Sequence, residues 1–392
     1  MALHRLPDAV LVGGGAIGLA TAWEAATAGL SVTVVDPSPG HGASWVAAGM
    51  LAAVSEAHFG EERLTRLLVA GAARWGSFAE RLEAATGLDI GYRRCGTVAV
   101  AADRSDRAVL DELALFQHGL GLAAERLSVS QCRGLVPALS PRVCGGVTFP
   151  EDHQVDNRRL VEALLAAVVG VGVTVVPARV AAVQLDSRGA AAGVALTDGS
   201  TLAAGAVVVT AGCESSLVGG LPAGTLPPVR PVKGHVLRLR GSVGSPLLSR
   251  TVRGMVEGRS CYLVPRADGS LVIGATVEER GFDTTVSAGA VHALLDDARR
   301  LVPGVDELEL VECIAGLRPG TPDNGPFVGW SAVDRLAVAT GHYRNGILLT
   351  PITGEAVAGL LAGRVELSGE WAPFDARRHL AVPPAPVAGG PW

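Results

Sequence analysis

Apolar residues along this chain come in short blocks separated by glycines. The first block covers 8–12 and ends in Gly13, Gly14 and Gly15; helical spacing follows over 17–28, and a second block covers 32–35. Short apolar runs bounded by turn formers predict buried strands, and spacings of three and four predict a helix. Gly29 stands where a helix commonly ends. The opening therefore predicts a strand, helix and strand in sequence, a βαβ unit.

Leu64, Leu67, Leu68, Trp75, Phe78 and Leu82 extend a helical period over 61–86. Beyond it the pattern predicts a strand at 98–101, a helix at 106–118, a helix start near Ser128 and a strand at 146–149. Asp156 is placed to cap a helix over 157–169. Strand patterns crowd 173–176, 180–185, 192–197 and 206–210, then 232–240, 260–264 and 271–275. A helix at 287–301, strands at 308–314 and 335–340 and a last helix at 353–362 complete the reading, and the Pro- and Gly-rich tail from Pro383 is expected to be mobile. The most apolar stretch, 160–176, contains Glu162, Gly170 and Gly172. It reads as a core helix entering a strand, since a membrane span needs about 20 consecutive apolar residues.

Length changes this picture by requiring more than one core: 392 residues exceed the roughly 250–300 that a single core organises. A net charge of −5 with scattered basic residues excludes the electrostatic footprint of a nucleic-acid or anionic-membrane binder. The six cysteines form no CxxC pair, which excludes zinc and thioredoxin spacings. The amino-terminal pattern is unlike a signal peptide, so reduced thiols and a cytoplasmic location are expected.

The chemistry begins at Gly13-x-Gly15-x-x-Gly18, between a predicted strand and a predicted helix. The first glycine permits a tight turn, the second lets a pyrophosphate approach the backbone, and the third brings helix against sheet. The helix start then offers free N–H groups to phosphate. Asp36 closes the second strand where a ribose hydroxyl pair would lie, and an acid there disfavours NADP. FAD and NAD share this signature. The small-residue segment 44–51 suits an extended cofactor or an ordinary surface loop, and the residues alone leave that open. Arg318, beside Gly316, Pro319 and Gly320, reads as a directed side chain suited to a carboxylate. Read alone, Arg318 and Arg344 are equally ordinary surface charges and Tyr262 a core residue. His58, His235 and His292 are isolated and read as structural, and no metal or nucleophile constellation is visible.

Several motifs carry a resemblance across 8–364: GGGAIGLATAW, SWVAAGML, HQVDNRRLVEAL, VVVTAG, RPVKGHVLRLR, CYLVPRADGSLVIGATVE, AGLRPGTPDNGPFVG and GHYRNGILLTPITGEAVA. The chain resembles the D-amino-acid oxidase-like FAD-dependent oxidoreductases, most closely the glycine-oxidising branch that serves thiamine biosynthesis. The resemblance implies an α/β (α+β) fold with a Rossmann-like FAD-binding domain (1–88, 150–228, 312–365). It implies an antiparallel-sheet substrate domain (89–149, 229–311) and a tail (366–392). Non-covalent FAD would be held by Gly13, Gly15, Ala16, Ile17, Gly18, Asp36, Pro37, Ala43, Ser44, Ala48, Gly49 and Met50. Val180, Ala211, Gly212, His342, Tyr343, Arg344, Asn345, Gly346, Ile347 and Leu348 would complete the cofactor site.

Tyr262, Arg318 and Arg344 would bind the substrate, a small amino acid, and molecular oxygen would be the second reactant. Relatives assemble as oligomers, so a homo-oligomer stays open for this chain. The flavin would carry the chemistry without a protein base, turning glycine into glyoxylate, ammonia and peroxide. A dehydrogenase of the same fold with another electron acceptor stays open. The sequence departs from the branch at Val277, where methionine is common, and at Ser260. Sarcosine and small D-amino acids therefore stay open as substrates. Cys313 is expected as a small buried strand residue rather than a flavin attachment point.

Overall fold

The computed structural model describes residues 6–381. The opening strand, Ala9–Val12, lies between Val32–Val35 and Ala206–Val209, parallel to both. Thr174–Val176 extends the sheet on one side, Leu336–Thr340 and an antiparallel Phe327–Trp330 on the other. All four residues of the opening strand are buried because the sheet is covered on both faces. Ala9 and Leu11 face the helices Ala16–Thr27, Trp75–Thr86, Asn157–Gly170 and Thr350–Leu361. Val10 and Val12 face a three-stranded antiparallel sheet, Val180–Leu185, Ala191–Leu196 and Thr201–Ala203. Gly354 lets Thr350–Leu361 approach the first helix closely, since an added Cβ would stand 3.1 Å from the Ala20 carbonyl carbon.

The second sheet has eight strands, in the order Glu309–Gly320, Arg230–Arg240, Ser270–Gly274, Arg259–Pro265, Thr251–Val256, Thr97–Ala101, Gly146–Phe149 and Glu125–Leu127. All its pairings are antiparallel except Thr251–Val256 with Thr97–Ala101. One face packs on the helix Ala288–Leu301 through Leu294, Ala298 and Leu301. The other face gathers Val236, Val264 and Val272 against Val46 and Ala48 of the small-residue segment.

Several expectations need correction. The period over 61–86 is two helices, Glu62–Ala72 and Trp75–Thr86, broken at Ala73 and Arg74. The strand expected to end at 314 runs to Gly320 and pairs with Arg230–Arg240 throughout. An edge strand can hold Pro319, which has no N–H to donate. The domain boundary expected at 312 therefore falls inside this strand. Thr251–Val256 and Phe327–Trp330 were not anticipated, because Arg253, Gly254 and Gly329 blur their patterns. Within the expected tail, Trp371, Phe374 and Ala376 are buried. The stretch from Pro383 lies outside the described residues.

Candidate active site

The three signature glycines meet three different demands. Gly13 has φ +111°, and a Cβ there would stand 2.6 Å from the Thr210 carbonyl oxygen. A Cβ on Gly18 would collide with the Gly13 carbonyl, so this glycine sets the closeness of helix to strand. At Gly15 the nearest heavy atom to an added Cβ is Ser44 Oγ, 3.4 Å away. The backbone is thus open at the one glycine that must admit a phosphate, and the site fits a dinucleotide.

Ala16 and Ile17 begin the helix, and Ala16 N–H donates to Ser44 Oγ at 3.0 Å. Asp36 accepts from the N–H groups of Gly14 and Ser38, each at 2.7 Å, with Pro37 between. That holds its carboxylate at the end of the second strand, beside the glycine turn. Ala211 and Gly212 follow the adjacent strand Ala206–Val209, and Thr210 Oγ1 donates to the Gly13 carbonyl at 2.7 Å. Val180 packs with Ala211 against the same core as Val12 and Val35.

The segment left open by the residues is a short helix, Ala43–Val46, and a two-residue strand, Met50–Leu51, paired with His153–Gln154. Asn157 Nδ2 donates to the Ser44 and Trp45 carbonyls at 2.8 and 2.9 Å. Arg266, 4% exposed, donates to the Ala48 carbonyl at 2.7 Å and to Asn157 Oδ1 at 3.2 Å. Gly49 passes so close to Val155 that a Cβ would collide with its carbonyl. The segment is fixed from both sheets, and Val46 lies against Gly316 of the edge strand.

The turn before the last helix is equally constrained. His342 is buried with Nε2 3.1 Å from Thr353 Oγ1, and burial lowers its pKa to about 3. It is neutral at physiological pH. Tyr343 holds φ +48°, an uncommon backbone for a bulky residue, and Asn345 is buried. Gly346, Ile347 and Leu348 then lead into Thr350–Leu361, and Trp75 Nε1 donates to the Leu348 carbonyl at 2.8 Å.

Tyr262 and Arg318 stand on the face of the large sheet that meets Val46 and Ala48. Across that face Arg253 is opposite Tyr262, Tyr262 opposite Gly274, and Gly274 opposite Val236. A Cβ on Gly274 would collide with the Tyr262 hydroxyl, and one on Gly234 would collide with the Arg318 guanidinium. Each side chain lies across a glycine, and the two lean together. Arg318 Nη1 donates to the Thr276 carbonyl at 3.1 Å and forms no ion pair among the described residues. Burial raises the Tyr262 pKa, with neighbouring Arg318 opposing, so the hydroxyl stays protonated and available as a donor.

Arg344 is placed differently. Its Nε lies 3.1 Å from Glu56 Oε2 and its Nη2 3.7 Å from Glu61 Oε2. Glu56 also pairs with Arg253 at 2.6 Å. Burial works to raise the Glu56 pKa, but Arg253 and then Arg344 outweigh it and hold it at about 2. Buried Asp152 accepts from Val54 and Ser55 N–H at 2.8 and 2.9 Å, fixing the loop that carries Glu56.

Sequence reasoning missed Gly234, Gly274, Arg253, Glu56, Asp152 and Arg266. Their roles depend on which strands become neighbours, and no local spacing encodes that. Cys313 is half-buried on the edge strand rather than buried. Ser260 is exposed, and Val277 is 64% exposed next to Thr276. No helix among the described residues is long and apolar enough to cross a membrane, and no cluster of acids, histidines or cysteines among them would hold a metal.

The glycine turn has room for a phosphate, and it lies with the pinned segment and a sheet face onto which a guanidinium is directed, the layout of a flavin-dependent oxidoreductase. The chain belongs to the FAD-dependent oxidoreductase family (DAO), whose model matches residues 8–360. It is 37% identical over 381 residues to a glycine oxidase from Geobacillus kaustophilus, covering 96% of this chain and 98% of that protein. The crystal structure of glycine oxidase from that organism superposes with a TM-score of 0.87 at 36% identity, covering 95% of this chain and 99% of that one. A bifunctional ThiO/ThiG protein of a Synechocystis strain is 34% identical over 98% of this chain, which spans 56% of that longer protein.

Proposed function

We propose that this enzyme oxidises glycine, or an amine of similar size bearing one carboxylate, to the imine, which water converts to oxo acid and ammonia (methylamine from sarcosine). When bound, FAD supplies the hydride acceptor and passes the electrons to oxygen as hydrogen peroxide. Gly13 to Gly18, with Asp36 and Ser44, would hold its nucleotide half. Ala43, Ala48, Gly49, Met50 and the 342–348 turn would hold its ring half, with Val180, Ala211 and Gly212 toward the adenosine.

The protein's own part is positioning. Arg318 and Tyr262 take the substrate carboxylate, and Arg344 lines the same site. An oriented reactant gains most of the advantage of an intramolecular reaction. No side chain is required as a base, because a neutral amine can lose hydride from Cα directly.

The observation carrying this reading is the pairing of Tyr262 over Gly274 with Arg318 over Gly234, beside the segment that packs on the same sheet face. Similarity to glycine oxidases and to a ThiO/ThiG protein supports glycine as substrate and thiamine biosynthesis as the setting. A peroxide-coupled screen of glycine, sarcosine and D-alanine on FAD-loaded protein tests it. Peroxide with glycine, lost in Arg318→Met, is expected. Flavin reduction without peroxide would make the chain a dehydrogenase, and no reduction by any of the three would overturn the reading.

A further inference from the structure

Glu56 stands on the substrate side of the large sheet. Its partner Arg253 is directly opposite Tyr262, and strands lie about 4.8 Å apart, so the carboxylate is one side chain away from the tyrosine. The second partner, Arg344, comes from the turn beside the edge strand that carries Arg318. Glu61 adds a second carboxylate to Arg344 and is itself held by Asn324 Nδ2 at 2.6 Å. Arg253 and Arg344 are thus paired with the carboxylates of Glu56 and Glu61, and Arg318 is left without an acid partner among the described residues. Arg253 and Arg344 are engaged by Glu56, whereas Arg318 meets the Thr276 and Lys233 carbonyls and the Tyr262 side chain.

We propose that Glu56 sets the charge capacity of the substrate site, so that it accepts amines with one carboxylate and rejects those with a second. This rests on the assignment of Arg318 and Tyr262 to the substrate carboxylate. A second anionic group entering beside Tyr262 meets Glu56 rather than a free guanidinium. A buried unpaired anion is costly, and repulsion from a fixed like charge is a common way to refuse a near-identical ligand.

The test uses two unreactive ethers of matched size, isobutoxyacetate and oxydiacetate, titrated into FAD-loaded protein and read by perturbation of the flavin spectrum. Wild type should bind oxydiacetate at least tenfold more weakly than isobutoxyacetate. Glu56→Gln, which frees Arg344, should narrow that gap at least tenfold. Arg344→Met strips a counter-charge from Glu56 and should widen it, which keeps the test open if the first variant does not fold. An equal affinity in wild type, or an unmoved gap in either folded variant, overturns the role of Glu56. If wild type binds neither ether and oxidises no glycine, the carboxylate site itself falls as well.

Discussion

At the residue scale the site depends as much on what is missing as on what is present. Gly234 and Gly274 give Arg318 and Tyr262 room to cross the sheet, and any side chain at either position would displace them. Gly234→Ala should therefore imitate loss of Arg318 without touching it: kcat/KM for glycine falls at least tenfold while FAD stays bound. Retention of full activity would show that Arg318 does not need its observed position. Arg318→Met itself should lose roughly 2–5 kcal/mol of carboxylate pairing, a thirtyfold or larger drop in kcat/KM. Steady-state kinetics on both variants decide the point. The sequence set Arg318 apart as a candidate directed side chain, because glycines and a proline isolate it from charged neighbours, and its guanidinium lies over Gly234. Glu56 was not set apart, since a glutamate in an irregular loop has no pattern, and only the fold delivers it to Arg253 and Arg344.

At the element scale the first βαβ unit was fully readable, because strand, glycine turn and helix are encoded within one short stretch. The glycines also separate binding from folding. Gly15→Ala places its Cβ at ordinary contact distance, 3.4 Å from Ser44 Oγ, so the apo protein should keep its melting temperature and lose FAD affinity by tenfold or more. Gly18→Ala drives a Cβ into the Gly13 carbonyl and should lower the melting temperature of the apo protein. Calorimetry with and without FAD distinguishes the two outcomes; a normal flavin affinity in Gly15→Ala contradicts the phosphate assignment. The large sheet was harder to read. Its edge strand contains Gly316, Pro319 and Gly320, which look like a strand stop in sequence. Thr251–Val256, which brings Arg253 beside Tyr262, carries a charge and a glycine that break its apolar alternation.

At the scale of the whole molecule, two sheets share one site through the pinned segment at 43–51, and a buried ionic cluster lies where they meet. That cluster makes acid stability depend on Glu56. Its folded pKa, about 2, lies below the ordinary value near 4.5, so it stabilises the fold above pH 4.5. The contribution is lost as pH falls through about 2, and amounts to at most about 3 kcal/mol. Chemical denaturation of wild type should show this loss below pH 4.5, and Glu56→Gln should lack it; identical acid profiles would place the glutamate outside any strong pairing. The central claim, that the amino-terminal glycines carry a flavin beside a guanidinium holding the substrate acid, is tested most directly by one anaerobic titration. Glycine added without oxygen to the FAD-loaded chain should bleach its visible absorption, and admitting air should restore the colour with release of glyoxylate and peroxide. A chain that takes up no FAD on reconstitution, or a flavin left oxidised by saturating glycine, sarcosine and D-alanine alike, would contradict it.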